Sequence, residues 1–312
     1  MNFNYTQFNH TTDINQKNLY SQLETNLKDF MDWSFLQING YNNVKIASGV
    51  SPEHYTLHNV DVSGVGLQQN TVWESPFKDW VWENITDKNI TQISGVNLNG
   101  TFLPAPTGSG NYGYYINYPL GRIVFNKPIN ANSNVKLEYS YRQIQIYKSE
   151  DAPWWKEVQR INYGIFNNDQ FTGQLLSEHR LQTPFIMIEN IARNQQIPYE
   201  IGNSRNILVQ DVLLHVFAKN PTQRSNIIDI LLTQKDKGLI LYNVNNVVSD
   251  QVSSLNYRGE KRTNGLNYSQ LVSDSRYVSK TYFIKNSVLS ELNNFSSSLF
   301  NGVIRWTIEI LP

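Results

Sequence analysis

The chain has 312 residues and carries 26 Lys and Arg against 26 Asp and Glu, so its formal net charge is zero. It therefore lacks the overall positive field with which proteins attract nucleic acid or an anionic membrane. The absence of cysteine excludes disulfides, cysteine-ligated zinc or iron–sulfur centres and thiol nucleophiles.

The N-terminal region predicts an arm followed by a helix. Residues 1–12 are polar and aperiodic, as expected of an extended arm, and they lack the basic and apolar pattern of a leader. No later run reaches the roughly 18 apolar residues that cross a bilayer, so we expect a protein made in the cytosol. Asp13 and Gln16 form a capping pair, and apolar residues then recur every three or four positions up to Gly40. These residues are Leu19, Leu23, Leu27 and Phe30.

Residues 44–146 change to short strands and turns, with frequent Pro and Gly. Asn99-Gly100 suits a type I′ turn, since both residues tolerate positive φ, and predicts a hairpin between 93–98 and 101–103. Further on, apolar and polar side chains alternate along a strand. Val135, Leu137, Tyr139 and Tyr141 share one face, and Lys136, Glu138, Ser140 and Arg142 share the other. The period of two predicts a buried inner face and a wet outer face.

The C-terminal part predicts long strands around one helix. The apolar run 185–191 is typical of a buried strand, and 207–217 is typical of a central strand covered on both faces. Asn220 is a helix N-cap followed by Pro221, with an apolar stripe behind it and Gly238 as the stop. Residues 239–242 resume a strand, and 247–275 are expected to form a long surface loop. Residues 303–310 alternate regularly, which predicts a strand that closes a sheet.

The candidates for chemistry are isolated side chains. His54 and His58 have helical ligand spacing, but Pro and Gly around them argue against a helix and no third ligand is evident. Glu74, Asp79 and Glu83 lie among tryptophans, as in a glycosidase cleft, yet their proximity in sequence does not bring two carboxylates across a cleft. His215 lies in an apolar strand and is interpreted as a satisfied core histidine. We therefore predict no catalytic, cofactor or metal site.

Two tryptophan pairs have two interpretations each. Trp80 and Trp82 fit a strand with both rings on one face, packed on a sheet or on a neighbouring subunit, which we favour over a sugar-binding cleft. Trp154 and Trp155 could form a sugar platform, but their place beside a lobe junction favours packing between layers.

We predict an α+β fold with the division 1–43, 44–147 and 148–312. These are an N-terminal arm and helix, an antiparallel β-rich lobe like a sandwich or barrel, and a C-terminal α/β lobe with a mainly antiparallel sheet and one long amphipathic helix.

Several phrases spread over nearly the whole chain carry a family resemblance. They are LKDFMDWSFLQINGYNNV (27–44), VWESPFKDWVWE (72–83), YINYPLGRIVFNKPI (115–129), VKLEYSYRQIQIY (135–147), DAPWWKEVQ (151–159), LVQDVLLHVFAKNPTQRSNIIDIL (208–231) and GVIRWTIEI (302–310). Together they resemble virion structural proteins of tailed bacteriophages, especially neck and tail-completion proteins of contractile-tailed phages. The strand–helix unit at 207–235 with its later C-terminal strand is similar to the core of tail terminator proteins, which cap the tail tube and join it to the head.

The resemblance implies a virion protein, assembled in the host cytoplasm, that forms a six-fold or twelve-fold ring. Its partners would be identical copies and the neighbouring head–tail connector, tail tube or sheath proteins, with no specific nucleic acid and no membrane. The family has no fixed catalytic motif, so no enzyme activity and no cofactor are implied. Tail terminator, head-completion protein and baseplate component all remain open. The interface candidates are Trp80, Trp82, Lys136, Glu138, Arg142, Trp154 and Trp155.

The main alternative is a carbohydrate-binding or receptor-binding module of a phage tail or baseplate. Its basis is the content of 7 Trp and 18 Tyr, together with abundant Asn. Aromatic rings stack on sugars and Asn supplies hydrogen bonds, so this composition suits a binding surface. A glycoside hydrolase built on Glu74 or Glu83 is a more distant third possibility.

Overall fold

The computed structural model describes residues 19–47, 49–60, 67–105, 112–151, 182–198, 206–297 and 299–311. The fold is mixed α+β and rich in strands, as the sequence predicts. The helices are α1 (Leu19–Gln37), α2 (Pro52–Tyr55), α3 (Pro221–Leu232), α4 (Val244–Ser249) and α5 (Tyr268–Leu271). The strands are β1 (Tyr41–Val44), β2 (Thr56–Asn59), β3 (Val72–Glu74), β4 (Gly95–Leu98), β5 (Thr101–Pro104), β6 (Tyr114–Asn117), β7 (Arg122–Phe125), β8 (Val135–Leu137), β9 (Tyr139–Arg142), β10 (Gln145–Lys148), β11 (Phe185–Pro198), β12 (Asn206–Ala218), β13 (Lys237–Tyr242), β14 (Val278–Ser296) and β15 (Leu299–Ile310).

The predicted N-terminal helix is confirmed as α1. Leu23, Leu27 and Phe30 are buried along one side, in a core shared with the six-stranded sheet described below. The helix ends because Gly40 turns back, its N–H donating to the Phe35 carbonyl oxygen at 2.7 Å. A Cβ at position 40 would lie 2.7 Å from that same oxygen, so only glycine fits. The capping pair Asp13 and Gln16 lies outside the described residues.

A seven-stranded antiparallel sheet has the order β5-β4-β8-β2-β3-β7-β6. The predicted hairpin is confirmed, because Asn99 and Gly100 have φ angles of 50° and 88° and join β4 to β5. The sheet curls so that its two edge strands approach each other. The Tyr114 hydroxyl on β6 lies 3.1 Å from the Leu103 carbonyl oxygen and 3.0 Å from that of Pro104, both on β5.

The alternating segment 135–142 divides into β8 and β9 at Glu138. Its inner residues Val135, Leu137 and Tyr139 are buried in the core of the seven-stranded sheet, as predicted. β8 belongs to that sheet, whereas β9 pairs with β1 in a separate two-stranded sheet. The outer face of the segment therefore meets different neighbours before and after Glu138.

A six-stranded sheet has the order β10-β11-β12-β15-β14-β13 and is antiparallel except for the β10–β11 pair. The predicted central position is confirmed, since β12 lies between β11 and β15. The prediction that this strand is covered on both faces is wrong, because Val209 and Asp211 line an open groove on one face. The C-terminal strand β15 lies inside the sheet, between β12 and β14. Its alternation is also confirmed, because one set of its side chains is buried beneath α1 and α3. These are Ile304, Trp306, Ile308 and Ile310.

Helix α3 begins as predicted and ends differently. The Asn220 side-chain oxygen accepts the Gln223 N–H at 2.8 Å, and Pro221 occupies the first turn. The prediction that Gly238 stops the helix is wrong. The helix ends at Leu232, and Asp236, with φ of 64°, takes the left-handed position in the following turn. Gly238 lies in β13, where a Cβ would be 3.0 Å from the Phe283 ring.

Residues 244–275 are more ordered than a surface loop. The prediction of an irregular loop over 247–275 missed α4 and α5, which begin at the N-caps Asn243 and Asn267. Val247 and Leu271 are buried in a small core of their own. The irregular middle crosses to the seven-stranded sheet, where the Gly259 carbonyl oxygen accepts the Tyr118 N–H at 3.1 Å.

Candidate functional site

Arg142 lies in a buried group of ionisable side chains, which we call the Arg142 cluster. Its members are Lys28 and Asp32 on α1, Asp79 and Glu83 on the β3–β4 connection, and Arg142 on β9. The Arg142 Nη2 donates to Glu83 Oε1 at 2.6 Å, and its Nε lies 3.6 Å from Asp32 Oδ1 and 3.7 Å from Asp79 Oδ2. Lys28 donates to Asp32. The cluster therefore ties α1 to the β-rich part of the chain.

Burial and charge shift the proton affinities within the Arg142 cluster. Burial raises the pKa of Asp79 to about 6, although the attraction of Arg142 opposes the rise. Burial also raises the pKa of Glu83, again against the attraction of Arg142. For Arg142 itself, burial favours the neutral form, but the surrounding carboxylates raise its pKa above the usual range. The cations therefore stay charged, while Asp79 can take up a proton near pH 6.

The prediction that Arg142 lies on a wet outer face is wrong. Its side chain is only 2% exposed, because α1 and the β3–β4 connection cover the outer face of β9. The guanidinium also stacks on the Trp82 ring, 4.2 Å from its centroid.

Trp80 is wholly buried in the core of the seven-stranded sheet, so it offers no surface to a neighbour. Of the two interpretations of Trp80, packing within the chain is the one that its burial supports.

The remaining interface candidates have different positions. Lys136 is half-buried, with its Nζ 5.5 Å from the centroid of the Tyr55 ring. Glu138 is also half-buried and accepts the Ile46 N–H at 2.8 Å. Both side chains are therefore partly exposed at the surface of the β-rich part, and both also make contacts within the chain. Trp154 and Trp155 lie outside the described residues.

The carboxylates and histidines that the sequence suggested as candidates for chemistry do not come together in one site. Glu74 pairs with Arg122 at 2.7 Å, whereas Asp79 and Glu83 belong to the Arg142 cluster. His54 lies in α2 and His58 in β2. Across the described ranges, no three His, Asp or Glu side chains lie together in the manner of metal ligands.

His215 has the environment of a satisfied core histidine. The residue is 9% exposed on the central strand β12, and its Nε2 lies 3.0 Å from Glu189 Oε2 on β11. This partner satisfies the ring inside the sheet, in agreement with the prediction from its apolar surroundings.

A groove of about 760 Å³ lies on the face of the six-stranded sheet opposite to α1 and α3. Its lining includes Val209, Asp211, Lys285, Val288, Arg305 and Thr307. On its floor, Asp211 accepts hydrogen bonds from Arg305 Nε at 3.1 Å and from Thr307 Oγ1 at 2.7 Å. Lys285 pairs with Glu309 across β14 and β15. These charged groups bind each other, so the groove suits polar contacts with another surface better than acid–base chemistry.

A second, apolar cleft of about 410 Å³ lies between α1 and α3. Phe30, Trp33 and Phe35 line it from α1, Ile230 lines it from α3, and Trp306 contributes from the sheet below. Ile38, at the end of α1, is 56% exposed beside it. The molecule thus presents a polar groove on one face of the six-stranded sheet and an apolar cleft on the other.

Sequence patterns missed two of these features. The i, i+4 spacing of Lys28 and Asp32 indicates an ion pair on a helix. No neighbouring residue in the sequence indicates that this pair also contacts Arg142. Asp211 inside an otherwise apolar strand was the signal for the network with Arg305 and Thr307. Both networks depend on contacts between residues distant in sequence.

Comparison with protein-family models, curated proteins and solved structures finds no match to this chain. Within the described part of the chain, no helix combines the length and apolar character needed to span a bilayer. The function therefore has to be inferred from the fold, its surfaces and the resemblance noted in the sequence.

Proposed function

We propose that the chain is a structural subunit of a tailed-bacteriophage virion, which forms a ring at the neck and caps or joins the tail to the head. The observation that supports this best is the six-stranded sheet, in which β15 inserts beside β12 and α3 packs across both. This arrangement fits the strand–helix core expected of a tail terminator-like protein. In the proposed subunit, the six-stranded sheet with α1 and α3 packed on it forms the ring-forming lobe, and the seven-stranded sheet forms the added β-rich part.

The two faces of the six-stranded sheet suit assembly into a ring. A ring needs two different surfaces on each copy, because each subunit meets its neighbours head to tail. The polar groove around Asp211 and the apolar cleft beside Ile38 are candidates for two different contacts, because a polar surface does not complement an apolar one. The zero net charge also avoids strong repulsion between identical copies.

Electron microscopy of the purified chain tests this proposal. The expected result is a particle with a central opening and six-fold or twelve-fold rotational symmetry. An Ile38→Asp variant should lose the ring while keeping its helix content, because it places a charge beside the apolar cleft. Lys88→Asp, on the β3–β4 connection, is the control and should keep the ring. Isolated single-copy particles in the unchanged chain would contradict the proposal.

A carbohydrate-binding or receptor-binding role is the second candidate, and one observation favours it. Tyr257 is 87% exposed, and the Arg258 guanidinium lies between the Tyr257 and Tyr115 rings at 5.4 and 5.5 Å from their centroids. Exposed aromatic rings held by arginine are common anchors of binding surfaces.

The test of this second candidate is a glycan-binding assay with a matched aromatic control. Tyr257→Ala should weaken binding by about tenfold or more, as expected for an anchor residue. Tyr112→Ala removes another exposed ring, 53% exposed, and should leave binding unchanged. An unchanged chain that binds no glycan would rule this role out.

A further inference from the structure

The Arg142 cluster joins three segments that are distant in sequence, and its charges do not balance. Asp32, Asp79 and Glu83 supply three carboxylates, whereas Lys28 and Arg142 supply two cations. Among the described members of the cluster, carboxylates therefore outnumber cations by one in a buried position, which is costly in a region of low dielectric constant.

The hydrogen bonding of the cluster is incomplete in the same place. Four of its buried atoms have no hydrogen-bond partner among the described residues: Asp32 Oδ1, Glu83 Oε2, Arg142 Nε and Arg142 Nη1. Carboxylate oxygens without a donor are satisfied when one of the neighbouring carboxyl groups carries a proton, since a protonated carboxyl can donate. A proton on one carboxyl thus supplies a donor for one of the two carboxylate oxygens, whereas Arg142 Nε and Nη1 are donors that this proton does not satisfy.

We propose that the Arg142 cluster is a proton-operated latch, in which uptake of one proton fastens α1 to the β3–β4 connection and β9, and loss of that proton loosens it. Asp79 is the residue that takes up the proton. Glu83 accepts the short hydrogen bond from Arg142 and Asp32 accepts one from Lys28, which leaves Asp79 with the longest charge contact. The pKa of Asp79, raised by burial to about 6, agrees with this assignment.

The cations and the tyrosine described around Asp79 do not titrate in the same range. The pKa of Lys28 lies above its usual value, since the nearby Asp32 and Asp79 outweigh its burial. Tyr147 on β10 also feels Asp79 and Asp32, and burial raises its pKa well above the usual range. Lys28, Arg142 and Tyr147 therefore keep their protons from pH 5 to pH 8, so changes in this range belong to the carboxylates.

The sign of the pH effect follows from the direction of the pKa shift. In the unfolded chain the pKa of an aspartate is about 3.9. Between that value and about 6, the folded chain binds a proton that the unfolded chain does not, so stability rises as the pH falls. This is opposite to the usual effect of paired carboxylates, which lose stability on acidification.

Glu24, also on α1, acts in the same direction and has to be separated. It accepts the Asn190 N–H of β11 at 3.2 Å, and burial raises its pKa to about 7. Glu24→Gln removes this second titration. Asp29, beside Lys28 on α1, also has a pKa raised by burial, so the effect of Asp79 is taken from the difference between chains with and without Asp79→Asn.

The experiment measures urea unfolding at pH 7.5 and pH 5.0 in the full chain carrying Glu24→Gln, with and without Asp79→Asn. Asparagine mimics the protonated carboxyl and tolerates the left-handed backbone at position 79, where φ is 57°. Between pH 7.5 and pH 5.0, the folding equilibrium constant should rise about tenfold more without Asp79→Asn than with it. The contribution of Asp29 is present in both chains and cancels in this comparison.

A control and a second readout keep the test decisive. Glu309→Gln removes a carboxylate that pairs with Lys285 away from the cluster, and it should leave the tenfold difference in place. Hydrogen exchange, corrected for the intrinsic rate, should show greater protection of residues 28–37 at pH 5.0 than at pH 7.5 in the chain carrying Glu24→Gln, and this gain should shrink when Asp79→Asn is added. Lower protection at pH 5.0, or the same rise in stability with and without Asp79, would overturn the proposal.

Discussion

At the scale of single residues, Arg142 shows how one side chain can connect distant parts of the chain. Its guanidinium lies within 4 Å of carboxylates from α1 and from the β3–β4 connection, and it stacks on Trp82. A buried ion pair adds little net stability compared with apolar packing, but removing one partner leaves the others uncompensated. Arg142 is therefore more important for keeping these segments together than for any contact with solvent.

Arg142→Met tests this role directly. At pH 7 it should lower the free energy of unfolding by about 3–5 kcal/mol, because three carboxylates then share one cation in a buried site. The loss should shrink toward pH 5, since carboxylates of raised pKa take up protons there. Urea unfolding at both pH values measures the effect. Arg276→Met, which removes an exposed partner of Asp274, is the control and should leave stability unchanged; an equal effect of the two variants would contradict the assignment.

At the scale of elements, the predictions that succeeded depend on local chemistry. The Asn99-Gly100 hairpin, the Asn220 cap and the alternation of β15 each follow from a few neighbouring residues. Two of the predictions that failed, the wet outer face at Arg142 and the single strand over 135–142, depend on contacts distant in sequence. A period of two could not show that the strand divides at Glu138, nor that α1 covers the outer face of the strand after this point. The latch and the groove are products of the same distant contacts.

Helix α3 offers a local test at this scale. Asn220→Ala removes the side-chain acceptor of the Gln223 N–H and should lower the free energy of unfolding by about 1 kcal/mol. Thr222→Ala, an exposed change in the same first turn, should change it by less than about 0.5 kcal/mol. Urea unfolding at neutral pH compares the two. Equal effects would show that the Asn220 side chain does not act as a cap.

At the scale of the whole molecule, the links between the six-stranded and seven-stranded sheets include the Arg142 cluster and the segment around Gly259. The Arg142 cluster joins them through α1, and the segment around Gly259 joins them through the Tyr118 hydrogen bond. Gly259 has φ of 76°, and a Cβ there would lie 2.7 Å from the Asn117 side chain, so this crossing depends on glycine. With both connections in place, the sheets can act together as one subunit of the proposed ring.

The mass of the purified chain at micromolar concentration tests the proposed ring most directly. Native mass spectrometry should give a closed assembly of six or twelve copies of the 36.1 kDa chain, without intermediate sizes as the main species. A single species of 36.1 kDa at that concentration would contradict the proposed assembly.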